Sequence, residues 1–189
     1  HWAELINFYL TTPDLDHLQR ILADSIKVKE RIVTQDPQEK GPRQALNFGH
    51  TFGHAFESFS FRSIKKGVEQ PAHTAKNDKA KNEDAPSRTQ PLPHGYAVAF
   101  GLVCELYLSA VKTGFPTDTM QQTVRFIRHH YGQLDITCDD YPDLMELMAH
   151  DKKNKDGVIN FTLLGGIGDI RINQTASDDE IKEALDFLR

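Results

Sequence analysis

Cysteine is nearly absent from this chain. Cys104 and Cys138 are the only two in 189 residues, and their placement forms no metal-binding pattern. Two reduced thiols in a cytosolic protein are therefore expected. Long apolar runs are also missing: the longest, Ala97 to Val111, contains Glu105 and Ser109 and falls short of a membrane span. There is no excess of positive charge. Twenty-two Lys and Arg against 27 Asp and Glu give a net charge of -5 and a pI near 6.0. That balance argues against nucleic acid or an anionic membrane as the main partner. The chain shows no internal repeat, no phosphate loop and no Gly-rich strand–turn–helix fingerprint for a dinucleotide. No signal-peptide pattern opens it, and it starts at His1 rather than Met, so it is expected to be part of a longer protein.

What is present has the composition of an ordinary globule, 39% hydrophobic and 26% charged in 21.4 kDa, enough for one domain with a sizeable core. Periodicity gives about six helices and one hairpin, a mainly α fold. Thr12 and Pro13 should start a helix whose stripe is Leu15, Leu18, Leu22, Ile26 and Val33, with Lys29 in phase. Such a lysine either snorkels along its methylenes or serves a site. Asp36 to Pro42 reads as a shaped turn. His94-Gly95 opens a nearly all-apolar helix, Tyr96 to Val111, that belongs in the core. Thr117 starts a helix with Met120, Val124, Ile127 and Tyr131 inward, and Pro142 opens a short one through Leu144, Leu147 and Met148. Val158 to Leu164 and Ile167 to Ile172 read as a hairpin, and Ser177 to Glu180 as a capping box before Ile181, Leu185 and Leu188. Residues from about 60 to 93 are polar, with four prolines, and read as an insertion that is mobile from about Arg62 to Gln90.

The informative stretch is Arg43 to Glu57. As one helix it would place Arg43, Asn47, His50, His54 and Glu57 on a single polar stripe, with apolar or small residues elsewhere. A narrow polar stripe of that kind should face an internal cavity. Gly49 and Gly53 disfavour helix, so their spacing implies a second backbone packed close by. Histidines at i and i+4 suit one metal ion, or else are core residues satisfied by hydrogen bonds. Arg43 and Asn47 beside them suit an anionic ligand. His94 is either a helix cap or a third imidazole brought to the same place. Lys152 and Lys153 form either a solvated turn or the edge of an anion site.

Three segments carry a resemblance. Gly41-Pro-Arg43-Gln-Ala-Leu-Asn47-Phe-Gly-His50-Thr-Phe-Gly-His54-Ala-Phe-Glu57, Leu92-Pro-His94-Gly-Tyr-Ala-Val-Ala and Asp151-Lys-Lys-Asn-Lys-Asp-Gly157 resemble, in this order, the motifs of the 3-dehydroquinate synthase family. The likeness runs from about Ser25 to Gly168. It implies the helical C-terminal domain of that fold, whose α/β partner domain holds NAD. It further implies conversion of 3-deoxy-D-arabino-heptulosonate 7-phosphate to 3-dehydroquinate and phosphate in the shikimate pathway, with NAD and a divalent metal, zinc or cobalt, in a homodimer. By the same resemblance His50 and His94 are metal ligands and His54 handles protons. Lys29, Arg43, Asn47 and one or both of Lys152 and Lys153 hold the sugar phosphate, with Leu46 among the substrate contacts. The family's third metal ligand is a glutamate expected upstream of this chain, since Glu4 has the wrong context. Two departures stand out: the long connection before His94, and Tyr96 where the family usually has an acidic residue. The rivals are another sugar-phosphate cyclase or a metal-dependent alcohol or glycerol dehydrogenase on the same scaffold, and a non-enzymatic helical module.

Overall fold

Two helices packed backbone against backbone organise the molecule, and glycine is what lets them approach. A computed structural model describes residues 14–66, 91–150 and 158–189. Glu4, Lys152, Lys153 and the greater part of the 60–93 insertion lie outside those residues. The long connection does begin later than the sequence suggests, because the helix before it continues through Lys66.

By its internal contacts the chain divides into two compact units, His1–Leu46 and Asn47–Arg189. In the first, helix α1 spans Leu15–Gln35. Its cap is Asp14 rather than Thr12: the Asp14 carboxylate accepts from the N–H groups of Asp16 and His17 at 3.0 and 3.2 Å. The expected stripe is present but mostly turned outward. Leu15, Leu22 and Ile26 are 75%, 53% and 66% exposed, and Ile21 is the buried residue. The described part of this unit has no second helix to cover a stripe, and amphipathic helices gain most of their stability from such cover.

In the second unit α2 spans His50–Lys66 and α3 spans His94–Leu108, continued by a π-helical turn at Ser109–Thr113. Contacts between them run antiparallel. Gly49 meets Glu105, Gly53 lies against Val98, Glu57 meets His94, and the Leu92 N–H donates to Ser60 Oγ at 3.0 Å. A Cβ on Gly53 would stand 3.1 Å from Val98 Cα, so the close backbone approach inferred from the glycines is what the structure has.

Around this pair lie α4 (Thr117–Tyr131), α5 (Tyr141–Ala149, opened by Pro142) and α6 (Asp178–Leu188). The Ser177–Glu180 capping box forms as expected, with Ile181, Leu185 and Leu188 buried. Strands β1 (Asn160–Gly166) and β2 (Asp169–Thr175) pair antiparallel, Asn160 opposite Thr175, around a tip at Ile167-Gly168. The hairpin is tied to the end of α3: the Leu164 N–H donates to Ser109 Oγ, and Thr113 Oγ1 donates to the Leu164 carbonyl. Phe52, Phe56, Phe100, Leu108, Phe161 and Leu185 fill the core between these elements. His94–Thr113 has the length and apolar composition of a membrane span, but its buried face makes it the central core helix here.

Gly101 sets the distance between α2 and α3. A Cβ there would fall 2.0 Å from the Gly49 carbonyl oxygen and 2.8 Å from the Gly53 nitrogen, both rigid backbone atoms. Gly101→Ala is therefore expected to destabilise the protein by about 1–3 kcal/mol or more, read as a lower urea midpoint. An unchanged midpoint would show that the two helices separate without cost.

Candidate metal centre

Three imidazoles from the two helices meet. Ring centroids lie 5.5 Å apart for His50 and His54, 5.6 Å for His50 and His94, and 5.9 Å for His54 and His94. The i, i+4 spacing puts the first two on successive turns of α2. The antiparallel pairing then brings the first residue of α3 beside them, across 44 positions of sequence. None of the three is buried. His50 and His54 are half-buried and the His94 side chain is 52% exposed, so the group forms an open face rather than the lining of the expected internal cavity. This exposure disfavours reading the histidines as core residues.

The hydrogen bonds to these rings assign their tautomers. His50 Nδ1 lies 3.2 Å from the Phe48 carbonyl oxygen, which can only accept, so Nδ1 carries the proton and donates. His94 Nδ1 donates in the same way to Glu57 Oε2 at 3.1 Å. In each ring the lone pair is thereby assigned to Nε2. An imidazole whose other nitrogen is held by an oxygen acceptor is the usual form of a metal-ligating histidine, and the donor set fits a divalent metal of zinc type. Among the described residues no group of three or more His, Cys, Asp or Glu side chains is placed to hold a metal ion by itself. Two imidazole nitrogens are what these residues offer, and a metal there would need further donors. Cys104 is no candidate, because burial first and the Glu105 charge second push its thiol well above the ordinary range.

The single helix expected from Arg43 to Glu57 is not what forms. Pro42–Asn47 is a 3-10 turn, Gly49 takes a left-handed φ of +82°, and α2 starts at His50. Its first helical bond runs from the Gly53 N–H to the Gly49 carbonyl, while the Glu105 carboxylate accepts from the N–H groups of Gly49 and Thr51 at 2.7 and 3.1 Å. A side-chain carboxylate thus replaces the preceding helical turn as hydrogen-bond partner. His50, His54 and Glu57 keep their common face. Leu46 and Asn47 sit half-buried in the 3-10 turn, off the helical stripe.

Two residues of this arrangement carried no role in the sequence reading. Glu57 stood on the stripe, and its contact with His94 became visible only once α3 was placed. In the sequence Glu105 shows only as an interruption of an apolar run. The signal was there: Val98, Gly101 and Glu105 follow His94 at i+4, i+7 and i+11, one face of a helix.

In the first unit, Asp36 shapes the turn that carries Arg43. Its carboxylate accepts from the N–H groups of Lys40, Gly41 and Arg43 at 3.0, 2.7 and 3.2 Å. The Arg43 guanidinium donates to the Pro37 carbonyl at 3.0 Å and lies 3.8 Å from Glu39. Lys29 sits exposed on α1.

The family model described as 3-dehydroquinate synthase C-terminal matches residues 2–69 and 83–154, leaving 70–82 of the long connection unmatched. A 3-dehydroquinate synthase of Parabacteroides distasonis is 44% identical over all of this chain, and one of Corynebacterium diphtheriae is 31% identical over 91% of it. The chain spans 46% and 40% of those relatives, about half their length or less. Two solved structures share the fold at a TM-score of 0.59. One is the 2-epi-5-epi-valiolone synthase ValA of Streptomyces hygroscopicus with NAD+ and Zn2+ bound, 18% identical; the other is a 2-deoxy-scyllo-inosose synthase complexed with carbaglucose-6-phosphate, NAD+ and Co2+, 19% identical. They cover 92% and 90% of this chain, which covers 40% and 41% of them.

The Asp36 turn makes a pH prediction. Burial alone would raise this carboxyl. The three N–H donors and the Arg43 charge outweigh it, so its pKa is held below the ordinary 3.8. A depressed carboxylate contributes stability that is complete above 3.8 and is lost as pH falls through the folded-state value. The Arg43 amide should therefore stay protected from exchange down to about that pH, and Asp36→Asn should open the turn already at neutral pH. Protection in Asp36→Asn equal to that of the unaltered chain would contradict this.

Proposed function

This chain belongs to the 3-dehydroquinate synthase C-terminal family, and on that premise we propose that it is the metal- and substrate-binding part of an enzyme converting 3-deoxy-D-arabino-heptulosonate 7-phosphate to 3-dehydroquinate and phosphate. The observation that carries the reading is the meeting of His50, His54 and His94, with Nδ1 of both proposed ligands donating to oxygen.

In this reading His50 and His94 supply two imidazole ligands to a zinc or cobalt ion, and a glutamate outside this chain supplies a third. When bound, the metal would act as a Lewis acid on a substrate hydroxyl, and NAD, held mainly outside this chain, would accept and return a hydride. The remaining work falls to side chains. Glu57 fixes the His94 ring. His54 takes and returns a proton at the substrate. Arg43 offers a two-pronged donor to phosphate or carboxylate, Lys29, Lys152 and Lys153 offer point charges, and Asn47, with Leu46 beside it, meets the substrate's hydroxyl face. The complete enzyme would be a homodimer of the cytosol acting on a small sugar phosphate, with no role for nucleic acid or membrane. Both cysteines are free thiols, as a reducing compartment favours.

The test is phosphate release from the heptulosonate phosphate. The 189 residues alone are expected to be inactive, and the protein completed with an NAD-binding half to be active and to lose activity to a chelator. In that complete protein His54→Ala should lower kcat by about 10²–10⁴-fold with metal content unchanged, whereas His50→Ala and His94→Ala should lose metal. Turnover by the 189 residues alone, or a His54→Ala enzyme with full kcat, would overturn the assignment.

A further inference from the structure

Among the described residues the proposed mechanism leaves one buried carboxylate unused. Glu105 is fully buried in α3, in the middle of the apolar core. Burying a carboxylate is expensive, and the expense is offset only where hydrogen bonds to the charged form are good. Here they are. Oε2 accepts from the Gly49 N–H at 2.7 Å and Oε1 from the Thr51 N–H at 3.1 Å, both at the positive end of α2. A helix cap could be made by a serine in the loop itself, without a charge reaching in from another helix.

The geometry assigns the charge a further use. The Gly49 N–H belongs to the same planar peptide as the Phe48 carbonyl, and that carbonyl accepts from His50 Nδ1 at 3.2 Å. Clamping one side of the peptide fixes the direction of the other. A carboxylate on the N–H also polarises the unit, making its carbonyl a stronger acceptor. The peptide cannot turn freely for another reason: Gly49 sits at φ +82° with its carbonyl packed on Gly101. We propose that Glu105 is the positioning residue for His50. Through the Phe48–Gly49 peptide it fixes the ring and keeps the proton on Nδ1, leaving Nε2 for the metal. It does for His50, across a peptide, what Glu57 does for His94 by direct contact. This rests on the reading that His50 and His94 bind one divalent metal.

The experiment is run on the metal-free and zinc-titrated chain. Side-chain 15N spectra report the tautomers of His50 and His94, and competition against a chromophoric chelator reports zinc affinity. In Glu105→Gln an amide cannot accept on both oxygens' positions, so His50 should lose its preference for the Nδ1–H form while His94 keeps it. Zinc affinity should fall about 10–100-fold, the range for removing an outer partner of a ligating histidine. Leu106→Ala, a cavity beside Glu105 that leaves the clamp alone, should lower thermal stability and change neither readout. Should Glu105→Gln fail to fold, Glu105→Asp keeps the charge but falls short of both N–H groups, and the same tautomer shift is expected. An unchanged His50 tautomer in the folded variant overturns the proposal, as does an equal zinc loss in Leu106→Ala. If the protein completed with an NAD-binding half binds no zinc while Glu105→Gln still shifts the tautomer, the positioning role stands and the metal reading falls.

Discussion

The contact of α2 with α3 through Gly49, Gly53 and Gly101 is the constraint on which the remaining geometry depends. No side chain fits between these backbones, so the helices are locked in both separation and register. Register is what matters for chemistry. It sets Glu57 opposite His94 and Glu105 opposite the start of α2, and it fixes the triangle of imidazoles 5.5–5.9 Å apart. Large core residues such as Phe52, Phe56 and Phe100 make the pair stable, but the glycines decide which residues face each other.

Charge is used sparingly and at two distances. Glu57 touches a proposed ligand directly at the half-exposed rim, where its removal would cost little in folding. Glu105 acts from inside the core through a peptide, where a charge is tolerated only because two N–H groups and a helix terminus receive it. Both leave the same tautomer on the histidine they serve. The long connection before His94 need not disturb this, because Leu92 is buried and its N–H is held by Ser60 Oγ just before the helix begins.

Much of this was legible in the chain itself. The helical stripes of α4 and α6, the Ser177 capping box, the hairpin and the close packing at Gly53 follow from local rules, and all are in the structure. The break at Gly49 was not legible, since a glycine beside a polar stripe is equally a packing site or a left-handed turn until its partner is known. Its partner is Glu105, 56 residues away. The outward face of α1 was missed for a similar reason: a periodic stripe shows that a helix wants cover, and says nothing of what provides it. For the site, the residue types were visible and their pairing was not. His50 and His54 share a helix, whereas the link from Glu57 to His94 exists only in three dimensions.

The central claim is that His50 and His94 ligate one metal ion through Nε2. X-ray absorption at the zinc edge of the loaded protein tests it directly. Two imidazole nitrogens at about 2.0–2.1 Å are expected, with one lost in His50→Ala, one lost in His94→Ala, and none lost in His54→Ala. A shell made of oxygen alone, or one indifferent to both ligand substitutions, would contradict the account.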